Sequence, residues 1–254
     1  MTQHAIHRSP RPTRTPLLRA SAIGLVAAGL LAAQIAPASA DSDRGDGHGW
    51  GQYMHASSRA IPNARHPKAV DTDKVWGPLR PNGGPASASA TVQNNCEGCS
   101  GSATTLQVLT SPGVSTLRAD NVVNARTTGN NATSTAISIQ VIATADARKI
   151  VANNSSTALN VGCTGCVTNG AAIQFILVGV KQRELSSTAR SVVSHIEEAL
   201  AASLDANAKA PAGPSLKAAK ARTSTDEAVR QAAAVIAADT GAQVTANVDV
   251  KTGS

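Results

Sequence analysis

The chain has 254 residues, 23 basic and 16 acidic side chains, a net charge of +7 and only 2% aromatic residues, a length that fits one or two domains. The positive charge is unevenly placed: residues 1–40 hold Arg8, Arg11, Arg14 and Arg19 and no acid, which leaves 19 basic against 16 acidic residues, or +3, beyond them. With only Trp50, Tyr53, Trp76 and Phe175 to stack on bases in that remainder, the composition argues against a nucleic-acid partner.

Residues 1–40 read as a signal peptide. The arginines form a basic leader, an apolar run follows from Ala20 to Ile35, and Ala38-Ser39-Ala40 offers a small-residue cleavage site before Asp41. The run is short and broken by Ser21 and Gln34, so no stable membrane span is expected after cleavage. Retention as an uncleaved anchor is the alternative. The expected location is secreted or cell-surface, an oxidising setting in which disulfides persist. Residues 41–86 read as a flexible linker, punctuated by Pro62, Pro67, Pro78, Pro81 and Pro85 and by many glycines. The acidic run Asp41 to Asp46 lacks the closing glutamate of a calcium loop.

Residues 87–182 form a β-repeat domain containing all four cysteines. Cys96-Glu-Gly-Cys99 and Cys163-Thr-Gly-Cys166 are each followed, after the same interval, by an apolar residue and a glutamine. Gln140 lies between Gln107 and Gln174, so the glutamines recur every 33 and 34 residues, a spacing typical of repeated supersecondary units. Around each glutamine the residues alternate as in a strand. Leu106 and Val108, Ile139 and Val141, and Ile173 and Phe175 line one apolar face, expected to meet the core. The other face combines a small residue, the glutamine and Leu109, Ile142 or Ile176. Weaker strands precede each, at about 87–93, 121–127 and 150–160. In the middle unit Gly129-Asn-Asn-Ala132 replaces the cysteine turn, and Gly98 and Gly165 suit turns that need positive φ.

After Val180 the period becomes helical. Ala189, Val192, Val193, Ile196, Leu200 and Leu204 make an apolar stripe, Ser186 or Ser187 can cap its start, and the amphipathic helix is assigned to residues 183–208. Residues 209–223 read as a linker containing Pro211, Gly213 and Pro214. Residues 224–254 read as a helix opened by the capping box Ser224-Thr-Asp-Glu227 and ended by Gly241, then a terminal strand over Val244–Val250. The fold class expected is α+β: an antiparallel sheet of strand–turn–strand units with a 33–34-residue period, covered by C-terminal helices.

The pattern Cys-x-x-Cys, seven residues, apolar residue, Gln, apolar residues resembles that of a family of uncharacterised exported actinobacterial proteins with alanine- and valine-rich repeats. The likeness covers about residues 87–182 and is best at Cys163–Val178. It implies export and architecture, not a reaction. Some related proteins are named as zinc metalloproteases, but His195-Ile-Glu-Glu198 is not a His-Glu-x-x-His helix, and that activity is not carried over.

Three chemistries compete for Cys96, Cys99, Cys163 and Cys166. Structural disulfides, closed locally within each turn, are favoured by export and by placement in a repeat. A four-thiolate zinc site is disfavoured by the long separation between the pairs. Redox exchange is disfavoured because strand sequence, rather than a helix, follows each pair. No catalytic set, metal or cofactor is implied; the remaining histidines, His48, His55, His66 and His195, are scattered. Gln107, Gln140 and Gln174 are a candidate interaction row, against the alternative that their amides bond to one another in the interior. The function expected is an exported structural or interaction protein. Its contact would be a sheet edge or the glutamine face, and its partner a cell-envelope protein or another copy. The alternative is an extracytoplasmic thiol–disulfide redox protein.

Overall fold

A computed structural model describes residues 54–79, 84–180 and 184–253. The expected signal peptide and the start of the expected linker lie outside the described residues. Eight strands come first: β1 (His55–Ala60), β2 (Lys68–Pro78), β3 (Gly84–Asn94), β4 (Ser100–Ser111), β5 (Val114–Thr127), β6 (Thr133–Thr144), β7 (Ala147–Asn160) and β8 (Val167–Val178). Two helices, α1 (Ser187–Lys209) and α2 (Pro214–Thr240), and a last strand, β9 (Val244–Gly253), complete the chain.

Odd strands form one sheet in the order β1-β3-β5-β7, and even strands another in the order β2-β4-β6-β8, extended by β9. Every pair among β1–β8 is parallel. The chain is therefore a β-solenoid of about four coils, two strands per coil, and the expected antiparallel sheet of strand–turn–strand units is incorrect. The period was read correctly and the pairing was not. Each weak strand and the strong strand after it lie in different sheets, so the turn between them crosses the sandwich instead of reversing the chain within one ladder. A strand's hydrogen-bonded neighbour is its counterpart one coil away, which sets Gln107 beside Gln140 and Gln140 beside Gln174. Only β9 runs antiparallel, against β8.

The even sheet is the middle layer of three. Its central strands β4, β6 and β8 are buried along nearly their whole length, because one face meets the odd sheet and the other meets the helices. The apolar rows read from the sequence point to the helices. Leu106, Val108, Ile139, Val141, Ile173 and Phe175 pack with Val193, Ile196, Leu200, Leu204 and Ile236. Burial of such a side chain contributes about 1.5–3 kcal/mol, so this layer is the principal hydrophobic core. The solenoid interior is narrower and built from small residues: Ala90, Ala125, Ala136 and Ala172 meet there, and Gly101 leaves so little room that an added Cβ would lie 2.6 Å from Val92 Cγ1.

Two boundaries differ from the sequence reading. The expected linker contains β1 and β2, the first coil. Within β1 its alternation is carried by Ala56, Ser58 and Ala60, buried but small or polar, and so leaves almost no hydrophobic signature. Helix α1 starts where expected, with Ser186 Oγ accepting from the Ala189 N–H at 3.1 Å. Helix α2 begins at Pro214, ten residues before the capping box, because Gly213 serves as N-cap and Pro214 fits the first turn, where its missing N–H costs nothing. Thr225 Oγ1, within the supposed box, instead donates to the Ala221 carbonyl in mid-helix. Gly241 ends α2 in the left-handed conformation, as read.

Candidate functional site

The turns from the odd to the even sheet stack on one another. Their second-to-last residue is left-handed in each of the last three coils: Gly98 at φ 64°, Asn131 at 53° and Gly165 at 69°. Asparagine tolerates this region best among non-glycine residues, which explains how the middle turn keeps the shape without glycine there. The Gly98 N–H donates to the Asn130 carbonyl and the Asn131 N–H to the Thr164 carbonyl, both at 2.8 Å. Contact is so close at Gly129 that a Cβ would lie 2.0 Å from the Cys96 carbonyl oxygen. The extra residue that lengthens the last repeat from 33 to 34 is absorbed in this turn, beside Gly162, also left-handed at φ 61°.

Cys96–Cys99 and Cys163–Cys166 are disulfide-bonded, each within its own turn, and no described cysteine is free. Asparagines support both turns: Asn94 Nδ2 donates to the Cys99 carbonyl at 2.9 Å, and Asn160 Nδ2 to the Cys166 carbonyl at 3.2 Å. The middle coil has Thr127 at this position and no disulfide. The two disulfides differ in setting. Cys99 is 2% exposed and Cys96 is half-buried, and their turn lies between the first-coil loop and the third-coil turn. Cys163 and Cys166 are half-buried in the last turn of the stack and line a cavity of about 620 Å³.

The glutamines are wholly buried inside the solenoid. Gln140 Nε2 donates to Gln107 Oε1 and Gln174 Nε2 to Gln140 Oε1, each at 2.7 Å. Gln174 Nε2 also reaches the carbonyls of Ala119 and Asn153 in the facing sheet, at 3.2 and 3.3 Å. This is an internal amide ladder that ties both sheets together, and the three side chains present nothing to a partner. A parallel ladder escaped the sequence reading. Asn121 Nδ2 donates to Asn154 Oδ1 at 2.8 Å, and the 33-residue spacing of this pair repeats the glutamine signal.

The outward face of the odd sheet is the broad uncovered surface, since α1 and α2 pack on the even sheet. Its rows run across the coils: His55, Ser87, Asp120, Asn153; Ser57, Ser89, Val122, Ser155; Arg59, Thr91, Asn124, Thr157. All are exposed or half-buried, with neighbours in a row about 4.8 Å apart. Hydrogen bonds run along the rows, from Ser89 Oγ to Ser57 Oγ at 3.1 Å and from Asn153 Nδ2 to Asp120 Oδ1 at 2.5 Å.

Carboxylates bind backbone N–H groups at both edges of that sheet. On edge strand β1 the Ser57 N–H donates to Asp73 Oδ2 at 2.7 Å and the Arg59 N–H to Asp71 Oδ2 at 2.5 Å. On edge strand β7 the Ser156 N–H donates to Asp249 Oδ2 at 2.8 Å. Burial alone would raise the pKa of Asp249, but the Ser156 N–H and Lys251 outweigh it and hold the carboxyl below its ordinary value. Sequence reasoning missed these roles, because the carboxylates lie far in sequence from the strand they cap.

Under α1, Glu197 is fully buried beside Lys74 of β2, with Nζ 3.4 Å from Oε2. Burial raises its pKa, opposed by Lys74 and the Thr104 hydroxyl. Lys74 Nζ also binds Glu198 Oε1 and Ser194 Oγ, both at 2.6 Å. This cluster fastens the first coil to the helix layer. His55 bonds Ser87, and His195 bonds Ser191 of its own helix. Among the described residues no three His, Cys, Asp or Glu side chains are grouped to hold a metal, and no helix is long and apolar enough to cross a membrane.

Comparison with protein-family models, curated proteins and solved structures finds no match to this chain.

Proposed function

We infer that this is an exported structural or interaction protein whose contact surface is the outward face of the odd sheet. The observation that carries the reading is asymmetry. The central strands of one sheet have both faces buried, whereas the other sheet presents four parallel strands of hydroxyl, amide and charged side chains that no element among the described residues covers. A rigid, regularly spaced polar face suits an extended partner at the cell envelope. The capped β1 edge disfavours self-association by strand addition there, because the Ser57 and Arg59 N–H groups that would template a new strand already have acceptors. Export rests on the leader sequence, and the two local disulfides are compatible with it.

The test is to secrete the protein from the producing organism with a photo-crosslinking residue at Ser89 or Asn124 on the outward face, or at Ala219 on α2. The reading expects an envelope component captured from the first two positions and not from the third, together with an intact mass lacking the first forty residues. Absence of crosslinks from the outward face, with retention inside the cell, would refute it.

A further inference from the structure

The last turn of the stack has a property that the first disulfide turn lacks. The Cys96–Cys99 turn is covered on both sides: the Ser100 N–H bonds the Pro67 carbonyl of the first coil, and the Gly98 N–H bonds Asn130 of the third. No further coil lies on the outer side of Cys163–Cys166. The cavity of about 620 Å³ opens there, between the turn, the α1–α2 connection and the end of β9. That volume is in the range of small-molecule sites. Its wall holds Cys163, Cys166, Pro214, Lys217, Thr252 and Asn169. Asn169 is 1% exposed; its Nδ2 donates to the Leu204 carbonyl at 3.3 Å, while its Oδ1 has no hydrogen-bond partner in the protein. Buried acceptors are rarely left unpaired, so this oxygen marks a position for a donor on a bound molecule. Lys217 Nζ gives one bond to the Ala208 carbonyl, and an ammonium has three hydrogens to donate.

The fold also tolerates opening of this disulfide. The middle turn carries Gly129 and Ala132 where the others have half-cystines or their neighbours, yet it adopts the same left-handed bend at Asn131. A turn of this kind keeps its shape without a disulfide.

We propose that the cavity beside Cys163–Cys166 is a site for a small organic thiol bearing N–H or O–H donors and an acidic group, and that thiol–disulfide exchange is confined to this disulfide. Asn169 Oδ1 accepts from the donor, and Lys217 meets the acidic group. The incoming thiolate attacks Cys163 Sγ. A new S–S bond forms between the two, the Cys163–Cys166 bond breaks, and its electron pair leaves on Cys166 Sγ, which takes up the proton the incoming thiol released. Cys166 is the better leaving group because Cys163 Sγ lies 3.6 Å from the Thr127 carbonyl oxygen, where a thiolate would be repelled. One disulfide is exchanged for another, and no external oxidant is needed. This site and the outward sheet face are separate surfaces, so either assignment can fail without the other.

The experiment treats the folded full chain with glutathione, which has amide donors and carboxylates, and separately with 2-mercaptoethanol, which has no acidic group, then quenches with acid and maps adducts by peptide mass spectrometry. Glutathione is expected on Cys163 at least about tenfold faster than on Cys96 or Cys99, because Cys163 lines the cavity that binds the thiol, whereas Cys96, although also half-buried, lines no such cavity wall beside Lys217. Lys217→Ala is expected to slow the glutathione reaction several-fold and leave the 2-mercaptoethanol reaction unchanged, and Asn169→Leu to slow the glutathione reaction more than that of 2-mercaptoethanol, which has a single O–H donor, with an unaltered far-UV spectrum confirming the fold. The Cys96→Ala/Cys99→Ala variant should react at Cys163 as the parent does. Equal labelling of the two turns, faster labelling at Cys96 or Cys99, no adduct before unfolding, or equal slowing of both thiols by the cavity variants would each overturn the proposal.

Discussion

Gln140→Leu tests the internal ladder. Gln140 is the middle rung: it accepts from Gln174 Nε2 and donates to Gln107 Oε1, both at 2.7 Å, with no solvent access. Leucine fills a similar volume but leaves the Gln107 oxygen and one Gln174 N–H without these partners. A buried polar group deprived of its partner costs about 1–3 kcal/mol, so two such groups cost about 2–6 kcal/mol together. Gln174 keeps its weaker bonds to Ala119 and Asn153, which places the expectation toward the lower half of that range. The triple variant Gln107→Leu/Gln140→Leu/Gln174→Leu removes all three amides together. It should cost less than the sum of its three single variants, since coupled groups are not additive. Urea unfolding followed by far-UV circular dichroism reads both quantities. A Gln140→Leu variant within about 0.5 kcal/mol of the parent, or a triple variant as costly as the sum of the singles, would refute the ladder as a coupled unit.

Gly129→Ala forces a Cβ to within 2.0 Å of the Cys96 carbonyl; backbone must move, and a loss of about 3 kcal/mol or more is expected in the same assay. Removing the first disulfide by Cys96→Ala/Cys99→Ala should cost only about 2 kcal/mol, because the closed loop is short. Glu197 has a raised folded pKa, so its contribution is fully present below the ordinary value of 4.5 and is lost as pH rises through the folded value. Glu197→Gln should therefore be neutral to stabilising by about 1 kcal/mol at pH 7, with the advantage gone at pH 4 in thermal melts. Asp71→Ala/Asp73→Ala frees the β1 edge and should produce concentration-dependent association in light scattering, while the parent stays unchanged.

The period of the repeat could be read from Gln107, Gln140 and Gln174 because buried amides stacked in register demand the same residue in every coil. The alternation and the helix stripe were equally readable, since both follow from burying one side of an element. Parallel pairing was hidden in that same period. Identical residues align across neighbouring strands only if the strands run the same way, and antiparallel units would have set Gln107 against another residue type. The first coil was obscured by Ala56, Ser58 and Ala60, whose burial depends on neighbours 32 and more residues away. The glutamines gave a recognisable pattern, but a pattern does not say which side of a sheet is covered. That was decided by α1 and α2, packed over the apolar rows, and by the odd sheet, closing over the amides. The contrast between the two cysteine turns was beyond the sequence, because it depends on which coil is last in the stack and on where the α1–α2 connection passes.

The central claim is parallel, in-register stacking of coils, and nuclear Overhauser contacts in the labelled protein test it most directly. The account predicts contacts from the Gln140 side-chain amide to both Gln107 and Gln174, with backbone contacts joining residues 33 or 34 apart along β4, β6 and β8. Contacts pairing residues 87–93 with the strand around Gln107 in an antiparallel ladder, with no contact between glutamine amides, would contradict it.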